Sequence, residues 1–202
     1  MFKHIIEELR NHAPFTALGA ITGIIIMIFL QKLPYKISYN IFYILHPTHI
    51  LLSALVTASM YELHKCKRIT VRCNLFVLLM IGYIGSVGIA TLSDSVIPYI
   101  GEIILGLPNR GIHIGIIEKW WLVNPLALIG IAIAYFRPAT KFPHAGHVLL
   151  STSASLFHII MAKGEVLNFA SYIIILFFLF LAVWLPCCLS DIIFPLLFIK
   201  KE

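Results

Sequence analysis

Charge is what this sequence has least of. Asp, Glu, Lys and Arg make up only 12% of its 202 residues, against 60% hydrophobic, whereas a soluble domain carries about 25% charged residues. With a mean hydropathy of +0.95, folding in water would leave too little polar surface to cover the apolar bulk. That excludes an ordinary soluble domain. The net charge of +6 does not point to nucleic acid, because the cations are scattered through short segments between apolar runs and are not gathered on one face. Cysteine is sparse too. Cys66 and Cys73 flank a basic segment expected in the cytoplasm, where disulfides are rare, and the adjacent Cys187 and Cys188 sit in an apolar run and read as thiols. Residues 1–12 mix both signs of charge, so they read as a short amphipathic surface helix and not as a cleavable signal peptide.

Long apolar runs are abundant. Six candidate spans fall at 14–31, 44–62, 75–98, 122–136, 146–162 and 170–198, where a crossing needs about 20 apolar residues. The fourth is short, with Trp120 and Trp121 as interfacial anchors, and the sixth is interrupted by Pro186 and Pro195. With the N-terminus inside, the inner segments hold Lys3, Arg10, Lys65, Lys67, Arg68, Arg72, Arg137, Lys141, Lys200 and Lys201; the outer ones hold Lys32, Lys36, Arg110, Lys119 and Lys163. The positive-inside rule therefore predicts a multi-pass protein of the cell (inner or plasma) membrane with both termini cytoplasmic.

The chain also repeats itself. Residues 46–54 read HPTHILLSA and residues 144–152 read HAGHVLLST; in the same register Thr57 faces Ser155 and Lys65 faces Lys163. Residues 92–98 read LSDSVIP and residues 189–195 read LSDIIFP. Upstream, Ile5-Ile6-Glu7 faces Ile116-Ile117-Glu118, Pro14 faces Pro125 and Gly19 faces Gly130. These matches divide the chain into a first unit (1–100), a linker (101–114) and a second unit (115–202), each with three spans. An odd number of crossings inverts the second copy. The expected architecture is an all-α integral membrane protein of six helices in two inverted three-helix repeats, with broken third and sixth helices. Inverted repeats are a recurrent plan of secondary transporters.

The duplicated residues are the polar ones, and polar groups inside a membrane are costly and usually functional. His46 and His49, and again His144 and His147, are three apart and share a helix face; Pro47 and Pro143 suit the first helical turn and so place each pair at a helix start. Such pairs suit a metal ion; the plainer reading is interfacial histidine. Pro98 and Pro195 cannot donate to the carbonyls of Asp94 and Asp191, so each motif offers a carboxylate and a freed carbonyl. The plainer reading there is a proline kink with the aspartate capping a neighbouring helix.

The predicted ligands are therefore His46, His49, Asp94, His144, His147 and Asp191. Auxiliary candidates are Ser53, Ser93, Ser151, Ser190, His158 with Met60 at its equivalent place, and Cys187 and Cys188, which have no counterparts in the first unit. Glu102, His113 and Glu118 fall in the third outer loop. Nitrogen and carboxylate donors suit Zn, Fe, Mn, Co or Ni more than Mg or Ca. The expected function is a secondary transporter of a divalent transition-metal cation, coupled to protons through competition at imidazole. Its partners are lipid, the cation and protons; nucleic acid is excluded and a homodimer is compatible. The alternatives are a membrane-embedded metallohydrolase, a b-type haem protein using His144 and His158, and a carrier of an anion held by the helix-start dipoles.

Overall fold

The computed structural model describes residues 2–66, 74–164, 167–189 and 193–198. They form six long helices with no strand among the described residues: α1 (Phe2–Phe29), α2 (Tyr35–Tyr61), α3 (Leu75–Leu105), α4 (Trp120–Phe136), α5 (Lys141–Ala162) and α6 (Phe169–Cys188). Single helical turns lie at Gly115–Glu118 and Phe194–Leu197. All but α4 are long and apolar enough to cross a membrane; α4 has 17 residues, about 25 Å at 1.5 Å per residue. The outer surface is apolar, with Leu18, Phe29, Phe76, Phe136 and Phe169 all exposed, as lipid-facing positions require.

Local chemistry sets several helix ends. Asn74 begins α3 by accepting from the backbone N–H of Phe76 and Val77, and Asn168 begins α6 by accepting from Ser171 N–H at 2.8 Å. Such caps satisfy donors that the first turn leaves orphaned. At the other end of α3, Gly106 takes a left-handed conformation (φ 62°). Its N–H reaches the Ile103 carbonyl and the Leu107 N–H reaches the Glu102 carbonyl, the paired bonds of a Schellman stop.

The helices pack as two trios. Ala20 and Met27 of α1 share a core with Leu156, Ile159 and Ile160 of α5 and with Ile175 and Leu179 of α6. Ala54, Leu55 and Ala58 of α2 share another with Leu78 and Ile81 of α3 and Ile131 and Ala134 of α4. The trios join along α2 and α5, where Phe42, Tyr43, Ala154 and Met161 meet. These two helices run in opposite senses. Leu52 lies against Gly146, His49 against His147 and Phe42 against His158, so numbering falls along one as it rises along the other.

Four sequence expectations are corrected here. Residues 2–12 are not a separate surface helix; α1 runs unbroken through Pro14, and Thr16 Oγ donates to the His12 carbonyl beside it. His46 and His49 do not begin a helix, because α2 starts at Tyr35 and continues through Pro47. Eleven residues, about 16 Å of helix, separate Tyr35 from His46. The third helix is not broken at Pro98. It stays continuous and widens into π-helical turns at Ile84–Gly88 and Leu92–Val96. Glu102 therefore lies on α3 and is fully buried, not in a loop.

Close approach of α4 to α2 needs Gly130. A Cβ there would overlap the Leu51 carbonyl oxygen and come within 2.9 Å of the Ala54 Cβ. At Gly19, on α1, the nearest atom is Thr152 Oγ1 at 3.4 Å. Gly130→Ala is expected to cost about 1–3 kcal/mol by overpacking. Gly19→Ala is expected to be neutral or stabilising by up to about 1 kcal/mol through helix propensity. Denaturant titration of the two purified variants in detergent checks the contrast.

Candidate metal centre

The buried Asp94 carboxylate gathers three helices. From α2, His46 Nδ1 and His49 Nδ1 both reach its Oδ2, at 2.8 and 2.6 Å. On the other oxygen, Oδ1, Ser93 of α3 donates at 2.9 Å and Ser151 of α5 at 3.1 Å, with the two hydroxyls 2.5 Å apart. All five side chains are buried: His49 is 1% exposed and the other four 0%. A carboxylate this far from water is tolerated only when its lone pairs are taken by donors, and here both oxygens are taken.

The π-helical turn makes this geometry available. It sends the Ile97 N–H back to the Leu92 carbonyl, one residue further than an α-helix would. The Ser93 carbonyl loses that partner and accepts instead from Ser155 Oγ of α5 at 3.1 Å. Pro98 brings no N–H to the Asp94 carbonyl. The wide turn thus exchanges helix bonds for bonds to α5 and turns the Asp94 side chain toward α2.

Since Nδ1 of each imidazole faces the carboxylate, Nδ1 carries the donated proton and Nε2 presents its lone pair. His46 Nε2 and His49 Nε2 are buried and have no hydrogen-bond partner among the described residues. They look in different directions. His46 stacks on Phe42, with centroids 5.3 Å apart at 10°, and its Nε2 lies against Gly115, where any Cβ would overlap it. The His49 ring instead faces His147, with centroids 4.4 Å apart.

That meeting forms a group of metal-ligating type. His49, His147 and Cys187, all buried, each offer one ligating atom, and the three atoms lie within 4.8 Å of one another. Tetrahedral zinc with Zn–N of about 2.0–2.1 Å and Zn–S of about 2.3 Å sets its ligands roughly 3.3–3.7 Å apart, so closing on an ion takes about 1 Å of side-chain movement. The carboxylate–imidazole contact at His49 is the arrangement that fixes tautomer and ring direction in metal sites.

The other sequence candidates divide as follows. His144 stacks with His147 at 6.1 Å and shares a hydrogen bond with His12, Nε2 to Nε2 at 2.9 Å. Ser53 is fully buried on α2, one turn beyond His49. Met60 lies near the end of α2, where its carbonyl accepts from His64, away from the centre. His158 is buried against Glu102. Asp191 and Ser190 lie outside the described residues, as does the Cys188 side chain. Sequence reasoning missed two partners: His12, and Gly115 beneath His46. The only signal for Gly115 was its place just before the repeated Ile-Ile-Glu.

Cobalt substitution tests the centre. Purified protein loaded with Co(II) is expected to show a thiolate-to-cobalt charge-transfer band, and Cys187→Ser is expected to abolish it. Asp94→Asn keeps the shape but replaces two acceptor oxygens by one and an amide; it is expected to lower cobalt affinity about 10–100-fold, read by spectral titration. A spectrum indifferent to Cys187→Ser would place the metal elsewhere. No protein-family model, no curated protein and no solved structure matches this chain, so its function is read from its own geometry.

Proposed function

We propose that the protein is a membrane transporter of a divalent transition-metal cation, with six crossing helices arranged as two inverted three-helix units and both termini in the cytoplasm. One observation carries the reading. The second histidine of each HxxH motif, His49 and His147, comes to the same buried point with Cys187 beside it. Sites between inverted halves, near the bilayer midplane, are where transporters of this plan hold their cargo. Imidazole with thiolate suits zinc and its neighbours.

The packing supports the inverted repeat. α1 packs on α5 and α6 while α4 packs on α2 and α3, so each unit's first helix lies against the other unit's second and third. Gly19 meets Thr152, and Gly130 meets Ala54; in the repeat register Gly19 matches Gly130, and Thr152 matches Ala54. In this reading His49, His147 and Cys187 bind the cation, Asp94 orients His49 and His46, and His144 and Asp191 complete the second unit's share. Burial of His46, His49, Asp94, His147 and Cys187 is that of a site closed to both sides, which opens when the trios move against each other along α2 and α5.

A membrane-embedded metallohydrolase is the second reading. It is favoured by the asymmetry of the group, since Cys187 has no counterpart, and by a three-ligand set that leaves a fourth position for water. The haem reading is less favoured, because both ring nitrogens of His158 are engaged, one with Glu102 and one with the Ile112 carbonyl. The anion reading weakens in the first unit, where His46 and His49 sit far from any helix start.

Reconstitution decides between the first two. Vesicles containing the protein are expected to take up Zn(II) or Co(II) at least about tenfold faster than protein-free vesicles, and His49→Ala and His147→Ala are expected to remove the difference. Tight metal binding with no flux, together with metal-dependent cleavage of ester, amide or phosphoester substrates, would replace the transporter by the hydrolase.

A further inference from the structure

A second buried polar cluster lies apart from the metal centre, under the segment 106–119. Glu102 of α3 and His158 of α5 are both 0% exposed, and His158 Nδ1 lies 2.6 Å from Glu102 Oε1. His158 Nε2 faces the Ile112 carbonyl at 3.3 Å. A carbonyl only accepts, so Nε2 carries a proton. Another proton then sits between Nδ1 and Oε1, and the pair is neutral whether it is written as imidazolium and carboxylate or as imidazole and carboxylic acid. The Gly111 N–H donates to the remaining oxygen at 3.4 Å. Removing the shared proton would leave a net negative charge out of reach of water, which is costly unless a cation replaces it.

Two aromatic rings flank His158. Toward the metal centre stands Phe42, edge-on to His158 and stacked on His46, with centroids 5.3 Å from each; its ring can neither give nor take a proton. Toward the other side stands His113, its ring 5.5 Å from His158 and its Nδ1 3.3 Å from Glu118 Oε1. Glu118 is 37% exposed and accepts from Tyr43 Oη at 2.5 Å. His113 holds a positive φ of 38°, and its carbonyl is tied to Ser95 Oγ of α3. Among the described residues the other charged groups at this end face elsewhere: Lys32, Lys36 and Arg110 are exposed, Lys163 donates to the Gln31 carbonyl, and Lys119 lies over the Tyr39, Tyr43 and Trp121 rings.

We propose that Glu102 and His158 form a proton-binding site that exchanges with the 106–119 face through His113 and Glu118 and is separated by Phe42 from the metal centre. Resting on the transporter reading, this is the site of the coupling proton. A divalent cation moving from the centre toward this face supplies the charge that lets the pair release its proton. The proton passes from between Nδ1 and Oε1 to His113, then to Glu118 and to solvent. As the cation leaves, a proton returns by the same groups. Since Phe42 interrupts the path, protons do not cross without cargo.

Two measurements test this, one independent of transport. In metal-free, ¹⁵N-histidine-labelled protein, with His158 assigned through its loss in His158→Gln, Nε2 is expected to be protonated and Nδ1 to carry a proton or share one with Glu102, which moves its nitrogen shift away from that of a free lone pair. In Glu102→Gln the Nδ1 shift is expected to move to the lone-pair value. A His158 Nδ1 at the free lone-pair shift in the wild type, or one unchanged by Glu102→Gln, overturns the proton site. In vesicles, an imposed pH gradient is expected to change wild-type metal flux several-fold. Glu102→Gln is expected to lose that response while binding the same number of metal ions. His113→Gln, at a partly exposed position, is expected to slow metal-driven proton movement several-fold and to leave the His158 Nδ1 shift unchanged. A full gradient response in Glu102→Gln overturns the coupling role. Absence of any wild-type flux removes the transporter reading instead, and the nitrogen spectra still decide the proton site.

Discussion

The buried carboxylate of Asp94 is the interaction on which the rest of this structure depends. An ionised group at 0% exposure must be surrounded by donors or it unfolds its surroundings. Here the donors come from α2, α3 and α5. That requirement draws together helices which, in an apolar solvent, have little hydrophobic reason to associate. It also sets chemistry, because two imidazoles that give Nδ1–H to one oxygen both turn Nε2 outward. The polar bond that holds the bundle is therefore the same bond that turns the His49 ring toward His147.

One departure from regular helix serves that carboxylate. A π-helical turn spans Leu92–Val96, with Asp94 at its middle. It frees the Ser93 carbonyl, and Ser155 collects it. Such irregularity survives inside a membrane only where protein groups satisfy the backbone, and Ser155 of α5 does so here. Small residues do the complementary task. Gly130 lets α4 lie on the α2 backbone, and Gly115 leaves room for the His46 ring. Substituting either would push on the elements that carry the donors.

The two polar clusters also divide the molecule electrically. Asp94 with its histidines carries one negative charge, Glu102 with His158 is neutral, and the Phe42 ring stands between the two. Between charges held in low dielectric, an aromatic spacer weakens proton exchange while still allowing the α2–α5 contact to stay packed. The proposed movement of the two helix trios would run along this same seam.

Much of this was legible in the sequence. Scarce charge and long apolar runs specify apolar helices because every backbone polar group must be satisfied inside its own segment when lipid is the solvent. The repeated polar residues His46, His49, Asp94, His147 and Ser151 stood out because polarity inside such runs is costly. What could not be read was how deep each residue lies and which atom it shows. Pro47 suggested a helix start, but an unbroken helix through proline was chosen by the packing around α2. Pro98 suggested a break, but the tertiary contact with Ser155 stabilises a π-helical turn in its place. Glu102 looked like a loop acid, because nothing local tells α3 to continue past Pro98 as far as Gly106. Composition and periodicity determined by themselves that the chain is helical and apolar and where its polar residues repeat, since these are properties of consecutive residues. Only the tertiary structure decided that His49, His147 and Cys187 share one point and that Asp94 holds His49 there. Contacts between residues 40 to 138 positions apart depend on how helices cross, and no local preference encodes that.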